Sequence, residues 1–170
     1  RIWGMTSAER LQRIFRRVGL APCDRASQGE GGVLVADAGW VFDESLIKAL
    51  AGRPDVVLVD DDGTPAAIHG QGAAMQATLT RLGAGEGLAA AAPDYPRLNA
   101  MEVGSAYNSE LRKREPPILR RLTQGNVDEV EKRLFQGSYK GVTDLVTKYV
   151  WPTPARIVTR WCALAGITPN

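Results

Sequence analysis

Apolar residues recur along this chain with two different spacings, which predict helices in some segments and buried strands in others. The first helical stripe follows the i, i+3, i+4, i+7 spacing and consists of Leu11, Ile14, Phe15 and Val18. Thr6 and Glu9 stand three residues apart just before it, as in a capping box, and Gly19 follows it as a stop signal. The sequence therefore predicts an amphipathic helix between Thr6 and Gly19.

Short continuous apolar runs predict strands that are buried on both faces. Two such runs, Val33–Ala36 and Val56–Val59, flank a helical stripe that contains Leu46, Ile47 and Leu50 and that Asp43 can cap. Strand, helix and strand joined by short loops predict a right-handed βαβ unit. A tight turn at residues 60–63 then predicts that residues 66–69 return as a hairpin arm, and residues 98–103 are expected to form a third strand.

Later segments alternate between helical and irregular patterns. Helices are predicted at residues 73–82, at 106–114 and after Asn126, whose stripe consists of Val127, Val130 and Leu134. This alternation predicts an α/β fold, a three-layer Rossmann-like domain over residues 1–137, followed by a helical segment over 138–170.

Composition narrows the picture without naming a function. The chain has 170 residues, of which 44% are apolar and 24% charged, as in globular domains, and its net charge of +2 is too small to indicate nucleic-acid binding. No apolar run approaches the roughly 20 residues of a bilayer span. Cys23 and Cys162 are expected to be reduced thiols. After Tyr107, eleven Lys and Arg face six Asp and Glu, so positive charge concentrates towards the end.

Several polar residues could carry chemistry, each with a structural alternative. Asp37 follows a predicted strand, where a carboxylate could hold Mg²⁺ against a phosphate or could serve the loop, and Glu102 could supply a second ligand. The aspartates at 60–62 are first of all a turn signal, and His69, the single histidine, is more often a strand residue than a base. Four arginines of the first helix could bind an anion or form a solvated face: Arg10, Arg13, Arg16 and Arg17.

The final stretch combines apolar, aromatic and basic residues on a predicted helix that Thr153 caps. Ile157, Trp161 and Leu164 share one stripe, and Arg156 and Arg160 stand beside it. Tryptophan with flanking arginine suits a membrane interface, where the ring lies among headgroups and the guanidinium groups reach phosphates. The alternative is a helix that packs on the domain's own core.

The segment YKGVTDLVTKYVWPTPARIVTR, followed by GITPN, resembles the juxtamembrane segment of CDP-alcohol phosphatidyltransferases. The resemblance implies a soluble nucleotidyltransferase-like domain on the cytoplasmic face of a membrane, tied to a membrane enzyme that uses Mg²⁺ and a CDP-linked donor to make phospholipid headgroups. It implies membrane lipids as partners, a possible homodimer and no nucleic acid. The residues expected near lipid or phosphate are Lys140, Asp144, Lys148, Arg156, Arg160 and Trp161.

The upstream sequence is similar to fused members of that family. VLVADAGWVFDESLIKAL resembles the strand that ends in a metal-binding aspartate, here Asp37, and LNAMEVGSAYN resembles the strand that carries a second metal carboxylate, here Glu102. The glycine-rich nucleotide loop of such domains is missing, so the resemblance implies a domain that is not catalytic by itself. The alternatives are an active CTP-dependent cytidylyltransferase for a sugar or inositol phosphate and a plain interaction module.

Overall fold

The computed structural model describes residues 1–23, 32–104, 107–108, 113–114, 116–138 and 149–167. Its helices are α1 (Ser7–Val18), α2 (Glu44–Ala51), α3 (Gly72–Gly83), α4 (Leu88–Ala91), α5 (Ala100–Val103), α6 (Val127–Ser138) and α7 (Pro152–Leu164). Its strands are β1 (Val33–Ala36), β2 (Trp40–Phe42), β3 (Val56–Val59), β4 (Pro65–Gly70), β5 (Arg97–Leu98), β6 (Tyr107–Asn108), β7 (Lys113–Arg114) and β8 (Leu119–Arg121). The α/β class and the helix near the end of the chain are confirmed.

The main sheet is mixed and has the strand order β1-β4-β3-β5. Strand β4 runs antiparallel to both of its neighbours, whereas β5 runs parallel to β3. Strands β1 and β3 therefore point the same way, as a βαβ unit requires, but the hairpin arm β4 lies between them. A short turn costs less loop-closure entropy than a helical crossover, which favours pairing of β4 with the adjacent strand β3.

Helices cover both faces of this sheet, and the alternation along β3 shows how. Val56 and Leu58 belong to a core that α1 and α2 complete, while Val57 and Val59 face Met75 of α3. A strand covered on both sides can be apolar at every position, which is why β3 carries no polar residue.

Two local predictions are confirmed in atomic detail. The Thr6 hydroxyl accepts the Glu9 amide at 3.2 Å, and the Glu9 carboxylate accepts the Thr6 amide at 2.7 Å, which completes the capping box of α1. In the β3–β4 turn, the Asp60 carboxylate accepts the amides of Asp62 and Thr64, and Gly63 supplies the positive φ of 79°. The aspartate run is therefore a turn.

Other local predictions are wrong. The third strand ends at Leu98, because Asn99 caps the short helix α5. Residues 107–108 and 113–114 pair as strands within a segment predicted helical. Asp43 does occupy the predicted N-cap position of α2, but its carboxylate forms no cap hydrogen bond and accepts the Ile118 amide at 2.8 Å. Helix α7 begins at Pro152, ahead of the predicted cap Thr153.

A second, smaller core joins the beginning of the chain to its later part. Strands β2 and β8 pair antiparallel, and one side of the resulting ribbon meets α6. The buried members of this core are Ile2, Val41, Ile118 and Val130. The first residues are therefore fixed beside α6, in a tight turn in which Ile2 and Met5 exchange two backbone hydrogen bonds.

Candidate functional site

The two carboxylates predicted to share a metal ion lie at opposite edges of the main sheet. Asp37 follows β1 and Glu102 lies in α5, just after β5, and these strands are separated by β4 and β3. Three interstrand spacings amount to roughly 14 Å, whereas a divalent cation holds its oxygen ligands at about 2 Å. The structure does not bring Asp37 and Glu102 together, so the pair does not fit one Mg²⁺ ion.

Each of these carboxylates already accepts a hydrogen bond from nearby backbone. The Asp37 carboxylate accepts the Gly39 amide at 2.8 Å, which shapes the turn into β2, and Glu102 accepts the Asn99 amide at 2.7 Å in a capping box. His69 also has a structural role, since its Nδ1 lies 2.9 Å from the Leu50 carbonyl and 3.1 Å from that of Arg53, at the end of α2. It lies on β4 inside the sheet, and not at an edge.

Helix α7 carries an unusual amount of exposed apolar surface. It contributes no buried residue, and Ile157 and Trp161 are 60% and 66% exposed. We define the apolar face of α7 as Ile157, Val158, Trp161 and Leu164. Within the described ranges, all exposed large apolar side chains except that of Met101 lie between Tyr149 and Ile167. Because folded proteins rarely leave such patches uncovered, this face is a candidate interaction surface.

The opposite side of α7 faces the domain through small residues. Ala155 and Ala163 are half-buried, and at 100° per residue they lie across the helix from Ile157 and Trp161. A Cβ atom on Gly4 would come within 2.8 Å of the Ala163 carbonyl oxygen, and Gly4 also has a φ of +75°. Glycine is thus required at this contact for two reasons, close approach and backbone conformation.

An ion pair with one buried partner attaches α7 to α6. Glu131 of α6 is only 2% exposed, and its carboxylate accepts the Arg160 Nε at 2.8 Å and the Trp3 amide at 2.9 Å. The hydrogen bond and charge of Glu131 raise the pKa of Arg160 above its ordinary value. Asp128 adds a second, exposed contact at 3.9 Å. A buried carboxylate needs such partners, because its desolvation is otherwise costly.

The predicted lipid-proximal residues divide into three groups. Lys140, Asp144 and Lys148 fall outside the described residues. Arg160 is bound by Glu131 instead of pointing freely outward. Arg156 and Trp161 line a shallow groove of about 430 Å³ between α6 and α7, and Arg156 forms no ion pair within the part of the chain that the structure describes.

Glu131 is the residue that the sequence reasoning missed. It lies at i+4 from Val127 and i+1 from Val130, inside the apolar stripe of α6. A carboxylate in an apolar stripe is a signal of a buried partner, and a search for basic residues on the remaining helices would have included Arg160.

Among the described residues, none of the helices is both long and apolar enough to cross a bilayer, and no group of three or more potential metal ligands is found. In comparisons with known proteins, no family model, no curated protein and no solved structure matches the chain.

Proposed function

We propose that this chain is an accessory α/β domain of a CDP-alcohol phosphatidyltransferase, nucleotidyltransferase-like in ancestry, that rests on the cytoplasmic surface of a membrane through α7. One observation carries the membrane contact: the exposed large apolar side chains of the described residues concentrate on 149–167, and four of them form the apolar face of α7. The phosphatidyltransferase assignment rests on the likeness of residues 139–170 to the juxtamembrane segment of that family.

The exposed area of the apolar face is sufficient for weak, reversible attachment to a membrane. Complete burial of a large apolar side chain is worth about 1.5–3 kcal/mol, so the exposed fractions of Ile157, Trp161 and Leu164 add roughly 1–2 kcal/mol each on entering a lipid interface. A total of roughly 4 kcal/mol corresponds to a dissociation constant near 1 mM. Such a contact orients a domain that another element keeps near the bilayer.

Charge reinforces the contact on one flank of this face. Arg156 lies in the groove beside Ile157 and Trp161, where its guanidinium group can reach lipid phosphates. A basic side chain near an anionic leaflet contributes about 1 kcal/mol. Anionic lipid is therefore the expected partner surface.

In this proposal the chemistry belongs to the membrane enzyme. The enzyme would use an alcohol to displace CMP from a CDP-linked donor, with Mg²⁺ held by residues other than Asp37 and Glu102. This division of labour agrees with the separation of those two carboxylates and with their roles in a turn and a cap. The full-length parent protein in membranes should release CMP from CDP-diacylglycerol when the correct alcohol is supplied. Absence of CMP release with every alcohol tried would refute the assignment.

Vesicle flotation tests the membrane contact. The chain should float with phosphatidylcholine vesicles containing phosphatidylglycerol, and less with phosphatidylcholine alone. Trp161→Ser with Leu164→Ser should lower the bound fraction roughly tenfold to a hundredfold, since two apolar side chains are removed from the interface. Met101→Ser is the matched control, because Met101 is 51% exposed but lies in α5.

The same variants distinguish a homodimer interface from a membrane contact. Sedimentation equilibrium without lipid measures whether the apolar face pairs with a second copy. If the wild type forms concentration-dependent dimers that Trp161→Ser abolishes, and if the wild type does not bind vesicles, then the apolar face is a dimer interface and not a membrane contact. A monomer that floats supports the proposal.

Calorimetry with CTP and Mg²⁺ separates an accessory domain from a working cytidylyltransferase. We expect that Mg²⁺ does not strengthen CTP binding and that Asp37→Ala leaves the titration unchanged, because Asp37 and Glu102 are too far apart to share one ion. Tight CTP binding that depends on both Asp37 and Mg²⁺ would favour the enzyme instead.

A further inference from the structure

Helix α1 contributes three arginines to a cleft that the apolar face of α7 does not include. Arg10, Arg13 and Arg17 follow the i, i+3, i+7 spacing, so their side chains emerge on one side of the helix. They line a cleft of about 560 Å³, which we call the arginine cleft. Its remaining wall includes Trp3, Phe135 and Thr159, so that α1, α6 and α7 all contribute. The volume is within the range of small-molecule sites.

The charges in the arginine cleft do not balance. Two carboxylates, those of Asp43 and Glu44, face three guanidinium groups. Glu44 lies 3.3 Å from Arg17, and Asp43 accepts the Ile118 amide. Within the described ranges, the Arg13 side chain forms neither a hydrogen bond nor an ion pair, although its charge acts on Glu9; it is exposed and lines the cleft.

Arg10 shows the same deficit inside the protein. Its Nε is buried and has no hydrogen-bond partner among the described residues. Burial lowers the pKa of Arg10 from its ordinary value, and the attraction of Asp43 offsets this only in part. A buried donor without an acceptor is costly, and an anion bound where the Arg10 side chain lines the cleft would stabilise this charge electrostatically.

The backbone at the cleft wall is held in an uncommon conformation. Trp3 has a φ of 49°, which bulky side chains rarely adopt, and its ring stacks on Phe135 with centroids 5.9 Å apart. Glu131 thus holds the Trp3 backbone and the Phe135 ring holds the indole, and both aromatic residues line the same cleft as the arginines. A flat apolar wall next to unpaired arginines suits a ligand with a phosphate at one end and an apolar or ring portion at the other.

We propose that the arginine cleft binds a phosphate-bearing anion, with the side chains of Arg13 and Arg10 as its principal contacts. Guanidinium groups match phosphate oxygens in bidentate geometry, and the half-buried position of Arg10 strengthens the attraction relative to bulk water. The site is independent of the proposed membrane contact, because none of its lining residues belongs to the apolar face of α7.

Isothermal titration of the chain with inorganic pyrophosphate at low salt tests this site. We expect one bound pyrophosphate per chain and at least tenfold weaker binding for Arg13→Gln, which loses a charge-assisted contact. Arg16→Gln is the matched control, because it removes the same charge from the same helix outside the cleft and should change affinity less than about twofold. Arg10→Gln should weaken binding as well, with circular dichroism to confirm that it folds.

A second arm distinguishes a soluble phosphate compound from a lipid headgroup. Vesicles with phosphatidic acid replace pyrophosphate, and the Trp161→Ser, Leu164→Ser protein removes the contribution of the apolar face. If the double variant still binds pyrophosphate, and if adding Arg13→Gln abolishes that binding, the cleft is a site for soluble phosphate compounds. Arg13-dependent binding to the vesicles alone assigns it to lipid. Equal effects of Arg13→Gln and Arg16→Gln, or no binding in either arm, overturn the proposal.

Discussion

The paired strands β3 and β4 and the helix α7 both carry large apolar residues, but they place them in opposite environments. Val57, Leu58 and Ile68 are completely buried, whereas Ile157 and Trp161 are more than half exposed. The strands have helices on both faces, while α7 meets the domain through Gly4, small alanines and the ion pairs of Arg160. The comparison separates two states of the same residue types: burial in the sheet stabilises the fold, whereas the side chains on α7 remain exposed and contribute little to it.

The largest expected effect comes from matched truncations in the two regions. Ile68→Ala should lower the free energy of unfolding by about 3 kcal/mol, because it leaves a cavity between covered faces. Ile157→Ala should change it by less than about 0.5 kcal/mol, since that side chain contacts mostly solvent. Urea denaturation followed by circular dichroism measures both values.

In the flotation experiment, the relative effects of these two variants should be reversed. Ile157→Ala is expected to weaken vesicle binding, whereas Ile68→Ala, at a temperature where it remains folded, should bind like wild type. A large stability loss in Ile157→Ala would show that the apolar face packs on the protein in solution, and the contrast between the regions would be lost.

A smaller effect is expected at the joint between the two regions. Arg160→Gln should speed amide hydrogen exchange across α7 while exchange in β3 and β4 stays unchanged, because buried Glu131 loses its cationic partner. Arg156→Gln is the control, as it removes the same charge from the same helix without breaking an ion pair in the described part. Hydrogen-exchange mass spectrometry resolves these segments, and equal behaviour of the two variants would argue against the joint.

The smallest expected effect is on the pH dependence of stability, and it concerns the cap of α1 and not α7. Hydrogen bonds from Thr6, the backbone amide first, lower the pKa of Glu9 below its ordinary value of 4.5. A lowered folded-state pKa means that the ionised cap stabilises the fold above the unfolded pKa and that this contribution is lost as pH falls through the folded value. The stability difference between wild type and Glu9→Gln should therefore shrink as pH falls from about 5 to about 2. A difference that stays constant over this range would contradict the prediction.

Local signals in the sequence predicted most of the elements of the fold. The Thr6–Glu9 box, the Asp60 turn and the stripes of α1 and α2 each depend on residues within a few positions of one another. Such interactions form in the same way whatever the surrounding topology is. Two of the predictions that failed depend on distant partners: Asp43 binds Ile118, and β4 pairs between β1 and β3. The failed strand prediction at residues 98–103 has a local cause, because Asn99 and Glu102 form a capping box there.

The candidate sites were predicted only in part, for the same physical reason. Exposure of Ile157 and Trp161 follows from the absence of facing apolar residues, which periodicity alone cannot reveal. The stripe of α7 could equally have packed on the core. The roles of Glu131 and of the arginine cleft require knowing that α1, α6 and α7 meet, and these helices are far apart in sequence. The Asp37–Glu102 pair assumed neighbouring parallel strands, an assumption that the position of β4 removes.

The two attachment points of α7 also restrict rotation of the helix about its long axis. Ala163 rests against Gly4, and Arg160 is anchored by Glu131, so the helix cannot roll without breaking one of these contacts. A flat surface that binds Trp161 would therefore hold the whole α/β domain in one orientation, with the same side of the domain facing away from that surface. The attachment would define a direction as well as a location.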